Sequence, residues 1–286
     1  MREIKIKCPA KINLTLEIVN KREDGFHNIK SIMQMISLYD YLTISVTDSK
    51  TDNIIELDGT SNEIPYNEKN LVYKASQIFL NEIEEKNKKI QIYIDKNIPI
   101  SAGLAGGSTD AAGTLYGLNI LFDNILPKEK LEELCAKLGS DLNVCLNGGC
   151  QLATSRGEIT TKLKAIQSPV TLIKPKNLGI SAGEAYKKYS KKEYKPQNNM
   201  TEKMINALEN KENISQFLYN DLEYAVFNDY LELQNIKKAY PDSIMSGSGS
   251  TYFVLKNNVD KSKLDSEYIF IDNLEFIESG VQINKN

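Results

Sequence analysis

The chain reads as an α+β protein of two layers, and three observations carry that reading. Apolar residues alternate with polar ones in several short runs, which is the two-residue period of half-buried strands. Other stretches place apolar residues three and four apart, the period of a helix packed on one side. The two kinds of segment follow one another without regular strand-helix-strand alternation, so a doubly wound parallel sheet is not predicted.

Taken in order, Ile4, Ile6 and Cys8 alternate with charged residues, and Ile12, Leu14, Leu16 and Ile18 alternate again after Pro9. Short β patterns follow at Tyr41 to Val46 and Asn53 to Leu57. Asn70 to Ile83 predicts an amphipathic helix with Leu71, Ala75, Ile78 and Phe79 on one side. Ile90, Ile92 and Ile94 predict a strand leading into a glycine-rich stretch. Beyond that stretch Ala111, Ala112, Leu115, Leu118 and Phe122 recur at helical spacing, with Ser108 at the expected N-cap. Pro127 suits the first turn of a further helix through Leu131, Leu134 and Leu138, closed by Gly139. Gly148 to Ala153 and Val170 to Ile173 read as strands, and Lys187 to Asn199 as a solvated excursion. Helical patterns dominate from Thr201 to Ala239, and strands return at Tyr252 to Leu255 and Tyr268 to Ile271.

Composition excludes several classes of function. The 286 residues, 41% hydrophobic and 26% charged, suit a soluble globular protein with ample core. Lysines and arginines number 35 against 38 acidic residues and form no basic stripe, so no nucleic-acid partner is expected. No apolar run approaches a membrane span and the N-terminus lacks a signal-peptide core, which predicts a cytoplasmic protein with no membrane partner. Cys8, Cys135, Cys145 and Cys150 lack metal-ligand spacing and read as buried reduced thiols. With His27 as the single histidine and no Gly-x-Ser-x-Gly elbow, neither a zinc site nor a serine hydrolase is suggested.

The most informative stretch is Pro99 to Ala112, Pro-Ile-Ser-Ala-Gly-Leu-Ala-Gly-Gly-Ser-Thr-Asp-Ala-Ala, where a glycine-rich turn runs into a helix. Gly103, Gly106 and Gly107 allow left-handed backbone and close approach of a ligand. The first amides of the helix lack internal partners and the helix dipole adds positive potential, so the junction favours phosphate. A Walker A loop is excluded because no Lys-Ser or Lys-Thr follows the last glycine. The dinucleotide spacing Gly-x-Gly-x-x-Gly is absent as well.

Four other segments are candidates for chemistry. Lys11 and Asn13 share one strand face opposite Ile12 and Leu14, where they either line a cleft or face solvent from an edge strand. Asp24-Gly25-Phe26-His27 puts an aromatic and the imidazole after a turn, a pairing that suits a nucleobase edge or simple packing. Asp141, in Gly139-Ser140-Asp141-Leu142-Asn143, follows a helix end and serves either as a cap or as a working carboxylate. Met245 to Phe253 holds a second glycine-serine turn.

Pro-Ala-Lys-Ile-Asn-Leu at 9–14, the stretch from Pro99 to Ala112, and Ser-Gly-Ser-Gly-Ser-Thr at 246–251 occur in the order found in the GHMP small-molecule kinases. The chain resembles that family over essentially its full length. Asp24 to His27, Gly139 to Asp141 and Asn220-Asp221-Leu222-Glu223 narrow the resemblance to the branch whose small-molecule acceptor carries a cytidine diphosphate group. The resemblance implies a ribosomal-S5-like N-terminal domain, placed at 1–160, and a ferredoxin-like C-terminal domain at 161–286, with the active site in the cleft between them. It implies ATP as phosphoryl donor and magnesium as its companion, with metal ligands left open and Ser108 and Thr109 as candidates. It assigns Lys11 and Asp141 to catalysis, and Pro99, Gly103, Leu104, Ala105, Gly106, Gly107, Ser108 and Thr109 to the phosphate loop. Asn70 and Lys96 fall at the adenine end, Asn13 beside the reacting hydroxyl, and Phe26, His27 and Tyr186 around cytidine. Two residues depart from the family pattern: Ala105 replaces a common glycine, which requires a negative φ there, and Asn143 replaces a proline. Acceptors such as mevalonate, homoserine or a sugar, and a nucleotide sensor without chemistry, are the rival readings. A monomer or weak dimer is expected.

Overall fold

In the computed structural model, which describes residues 1–164, 166–192 and 199–285, the two alternating runs flanking Pro9 form one strand, β1 (Arg2–Lys21). It pairs antiparallel along its length with β2 (His27–Asp48), from Arg2 against Val46 to Lys21 against His27. Pro9 has no N–H to give a ladder, and the register shifts between Pro9 and Ala10 instead of breaking the strand.

The long hairpin serves two neighbourhoods. The far half of β2 pairs with β4 (Lys88–Asp95), which lies parallel to the edge strand β3 (Ile54–Gly59). Its near half pairs with β5 (Cys150–Ser155), and β5 with β6 (Ile159–Lys162). A second, antiparallel sheet runs in the order β11 (Tyr268–Glu275), β7 (Pro169–Pro175), β10 (Tyr252–Val254), β9 (Ile244–Met245). Two short segments from late in the chain return to β1: β8 (Tyr219–Asn220), parallel, and β12 (Gln282–Ile283), antiparallel. β1 is therefore an interior strand, and the solvent-facing edge reading of Lys11 and Asn13 does not hold. The expected domain division at 160 falls inside β6.

Against the first sheet lie α1 (Leu71–Glu82), α2 (Gly106–Leu121), α3 (Lys128–Leu138) and α4 (Leu142–Asn147). The spacing expectation for α2 understates its burial: Asp110, Thr114 and Asn119 are buried along with its apolar residues. Gly113 explains how the helix sits so close, since a Cβ there would come 2.4 Å from the Cys8 sulfur. Pro127 stands one residue before α3, as its N-cap. The remaining helices are α5 (Ala182–Tyr189), α6 (Met200–Asn210), α7 (Asp221–Val226) and α8 (Leu231–Ala239). The solvated excursion expected over 187–199 overlaps the end of α5, and its residues 193–198 lie outside the described residues.

A single apolar cluster joins Ile12 and Leu14 of β1 to Leu172 and Phe253 of the second sheet. β1 thus packs one face into the seam between the sheets and turns the other, with Lys11 and Asn13, toward a cavity. All four cysteines are buried and free. No helix among the described residues is long and apolar enough to cross a membrane.

Candidate active site

The cavity has a volume of about 910 Å³ and is walled by β1, the turn before β2, the start of α2, the loop before α4, α5, and the turn at Gly247 and Ser248. Its first wall is the glycine loop. Gly103 takes φ +74°, and a Cβ on it would meet the Ser246 carbonyl oxygen at 2.0 Å, so glycine is required on both counts. Ala105 corrects an expectation: it adopts φ +60°, left-handed, where a negative angle was required of it. For an alanine that conformation costs on the order of 1–2 kcal/mol.

Ala105, not Ser108, is the N-cap of α2, and the helix has no side-chain cap. The first backbone bond runs from Thr109 N to Ala105 O. Two residues further along than the helix's first, Ser108 is already helical and lines the cavity. An alanine cap has nothing to offer the first amides of α2, so they are left open to an anion that also feels the helix dipole.

The expected nucleotide-side residues divide. Gly103, Ala105 and Ser108 line the cavity, whereas Pro99, Leu104, Gly106, Gly107 and Thr109 do not. Asn70 caps α1, its side chain accepting from Val72 N at 2.9 Å and donating to Pro65 O at 2.7 Å. Lys96 reaches under the first turn of α2: its ammonium bonds Asp40 and, at 2.9 Å, Asp110. Asp40 also accepts from the backbone amides of Asn97 and Ile98 at 2.6 and 2.8 Å. Burial opposes the Lys96 charge, yet Asp110 and Asp40 more than offset it and hold its pKa above the usual lysine value. Burial pushes the Asp110 carboxyl up to about 7 against the pull of Lys96.

At the cavity floor the Lys11 ammonium donates to Asn13 Oδ1 at 2.7 Å and to the Gly103 carbonyl at 3.1 Å, and stands 3.4 Å from Asp141 Oδ2. Lys11 is nearly sealed, while the Asp141 side chain is 28% exposed and faces the cavity. Asp141 occupies the N-cap position of α4 but makes no capping bond, so its carboxylate is not committed to a helix end. Asn143, the departure from proline, donates to the Glu158 carbonyl at 2.9 Å and is buried.

The second glycine turn closes the floor. Gly247 has φ +54°, and a Cβ there would lie 3.2 Å from the Lys11 nitrogen and 3.3 Å from Asn13 Oδ1. Asn220 fixes that turn by donating to the carbonyls of Met245 and Gly247 at 2.7 and 2.8 Å, while accepting from the first amides of α7. The sequence had marked Asn220 as part of a motif without giving it work.

At the other end His27 is buried and stacks on Tyr186, with ring centroids 5.2 Å apart and planes at 18°. Its Nε2 pairs with the Ser190 hydroxyl at 3.1 Å. Burial, then the charge of Lys21, lowers the His27 pKa, which favours the neutral ring with one donor and one acceptor. Burial raises the Tyr186 hydroxyl, with Asp141 and Asp221 adding to it. Phe26 is 54% exposed at the rim, with the Arg156 guanidinium 5.3 Å from its ring centre. Lys11, Asn13 and Asp141 therefore share one cavity with Phe26, His27 and Tyr186.

Two residues went unread in the sequence. Ser31 is wholly buried behind Asn13 and accepts its side-chain N–H at 2.8 Å. Lys174, 6% exposed, donates to the carbonyls of Pro175, Lys176 and Leu178, the loop that leads to Ile180 and its bond to the Ser101 carbonyl. A serine and a lysine in strand patterns give no local signal of such partners.

The description "GHMP kinases N terminal domain" matches residues 70–154. A 4-diphosphocytidyl-2-C-methyl-D-erythritol kinase of Prochlorococcus marinus (strain MIT 9301) is 39% identical over 281 residues, covering 91% of this chain and 88% of its own. The like-named protein of Clostridium beijerinckii is 37% identical over 273 residues, covering 91% and 94%. A solved 4-(cytidine 5'-diphospho)-2C-methyl-D-erythritol kinase superposes with a TM-score of 0.72 at 29% identity, covering 88% and 90%. A homoserine kinase from Cytophaga hutchinsonii superposes with a TM-score of 0.77 over 99% and 98% of the two chains at 18% identity, a likeness of fold alone.

Proposed function

The chain belongs to the GHMP kinases, within the family of 4-diphosphocytidyl-2-C-methyl-D-erythritol kinases, and from that membership we propose that it moves the γ-phosphoryl group of ATP to the 2-hydroxyl of 4-diphosphocytidyl-2-C-methyl-D-erythritol, a step of isoprenoid precursor synthesis. The observation that carries this reading is the meeting, in one cavity, of an uncapped helix start, the Lys11–Asp141 pair and the His27–Tyr186 stack.

Phosphoryl transfer passes through a loose transition state, so catalysis rests on in-line placement and on neutralising charge. The open amides of α2 and the Ser108 hydroxyl would receive the phosphate chain. Asp141 would orient the acceptor hydroxyl and take its proton as the oxygen attacks the γ-phosphorus. The bond to the bridging oxygen of ADP breaks in the same displacement. Lys11, held by Asn13 and the Gly103 carbonyl, would balance negative charge on the attacking oxygen and the moving phosphoryl. Asn13 lies beside that point through its bond to Lys11. The His27 ring, with Nε2 held by Ser190 and Nδ1 left to pair, would recognise cytosine by a hydrogen bond, while Tyr186 and Phe26 at the rim would add aromatic faces.

Magnesium fits this wall as a companion of ATP. The ion typically takes one or two protein oxygens and fills its remaining positions with phosphate and water. Asp141 and Ser108 both present oxygen to the cavity, whereas the Thr109 side chain is buried away from it. Bound there, the ion would supply charge neutralisation across the phosphates.

ADP release with the cytidylated methylerythritol, beside ATP titration, tests the reading. Asp141→Asn is expected to lose on the order of a hundredfold or more in kcat while keeping ATP affinity; near-normal turnover would remove Asp141 from the chemistry. His27→Ala is expected to raise the acceptor KM by up to about tenfold, the worth of an aromatic contact, with ATP KM unchanged. Equal turnover of mevalonate, homoserine or a sugar would reassign the acceptor.

A further inference from the structure

A short buried chain of hydrogen bonds behind Lys11 has every direction fixed by chemistry. The Lys11 ammonium can only donate, and the Thr15 carbonyl at the far end can only accept. Between them Lys11 Nζ meets Asn13 Oδ1 at 2.7 Å, Asn13 Nδ2 meets Ser31 Oγ at 2.8 Å, and Ser31 Oγ meets Thr15 O at 2.6 Å. The serine proton must go to Thr15, so its lone pair faces Asn13 and takes the amide N–H. The amide oxygen then has to face Lys11. An asparagine amide is nearly symmetric in shape, and the reversed orientation would set NH₂ against the ammonium. Lys11, Asn13 and Ser31 are 3%, 1% and 0% exposed, so solvent is poorly placed to repair a reversal.

The strand geometry is arranged around this chain. β1 and β2 shift register between Asn13 and Thr15, leaving Leu14 without a partner and setting Leu16 opposite Ser31. Bulges re-aim side chains beside functional sites. Here the Ile32 amide is taken up by the Thr15 hydroxyl at 3.1 Å.

We propose that Ser31 is a positioning residue for phosphoryl transfer: it locks the Asn13 amide with its oxygen toward Lys11, and so holds the ammonium beside Asp141. The role rests on the reading of Lys11 given above. Ser31 does not line the cavity and acts through Asn13 alone.

Ser31→Thr and Ser31→Val match each other in shape and differ by the hydroxyl, so the steric effect of the added methyl is common to both, and kcat is compared per folded protein, with the folded fraction of each variant fixed by denaturant unfolding. Ser31→Thr is expected to keep kcat within about twofold of the parent. Ser31→Val is expected to fall about tenfold below it with ATP KM unchanged, the kinetic mark of lost orientation. With Asn13→Ala in the background the Thr-to-Val difference should vanish. A second readout needs no turnover: the Asn13 side-chain amide protons, followed by NMR exchange, should be protected in the parent and in Ser31→Thr and exposed in Ser31→Val. Equal kcat in the matched pair, a difference that persists without Asn13, or unchanged amide protection in Ser31→Val overturns the proposal. Absence of turnover in the parent, with the amide result intact, would instead fault the substrate assignment.

Discussion

Lys11 with Asp141 and Lys96 with Asp40 and Asp110 are built from the same residue types, and their surroundings leave one open to the cavity and enclose the other. The Lys96 ammonium is buried between two carboxylates that are themselves 0% and 3% exposed, and Asp40 is further held by two backbone amides. Lys11 is equally sealed, but its acid partner stands 3.4 Å off and 28% exposed to the cavity. The first group is enclosed by protein and ties Asp40 to Asp110 on α2. The second has a carboxylate left open on one side. The proposed reaction draws on the unfinished pair, because a carboxylate enclosed by protein cannot meet a hydroxyl.

The contrast makes separable predictions. Lys96→Met leaves two buried carboxylates without their cation and should cost about 3–5 kcal/mol of stability, read by denaturant unfolding. A loss below about 1 kcal/mol would mean that the cluster is not a structural clasp. Lys11→Met should instead lower kcat on the order of a hundredfold with a smaller change in ATP affinity. If it chiefly unfolded the protein, the distinction between the two lysines would collapse.

Asp110→Asn gives the finest test, through pH. The Asp110 carboxyl is raised from 3.8 to about 7 on folding, so between those values the folded chain binds a proton that the unfolded chain has released. Stability contributed by this group therefore falls as pH rises across that window, at no more than about 1.4 kcal/mol per unit. Asp110→Asn should flatten that slope in unfolding measured from pH 4 to 7. An unchanged slope would show that the cluster holds its charges otherwise.

Much of the site was legible because its signals are local. Alternation along β1 places Lys11 and Asn13 on one face whatever surrounds them, and the glycines at 103 and 247 mark turns that the structure shows at positive φ. Local signals also misled. A serine near a helix start normally reads as a cap, yet the helix begins at Gly106 behind a left-handed Ala105. The partner of Lys96 had no local signal at all, since Asp40 lies fifty-six positions away.

By itself the sequence determined the α+β class, the glycine-rich turn that runs into a helix and the identity of the groups available for chemistry, since composition, period and turn residues are properties of neighbours along the chain. Only the tertiary structure decided which carboxylate each lysine meets, which of them stays open to the cavity, and that Ser31 backs Asn13. Those choices depend on burial and on contacts between distant segments, where a single register shift changes what a side chain faces.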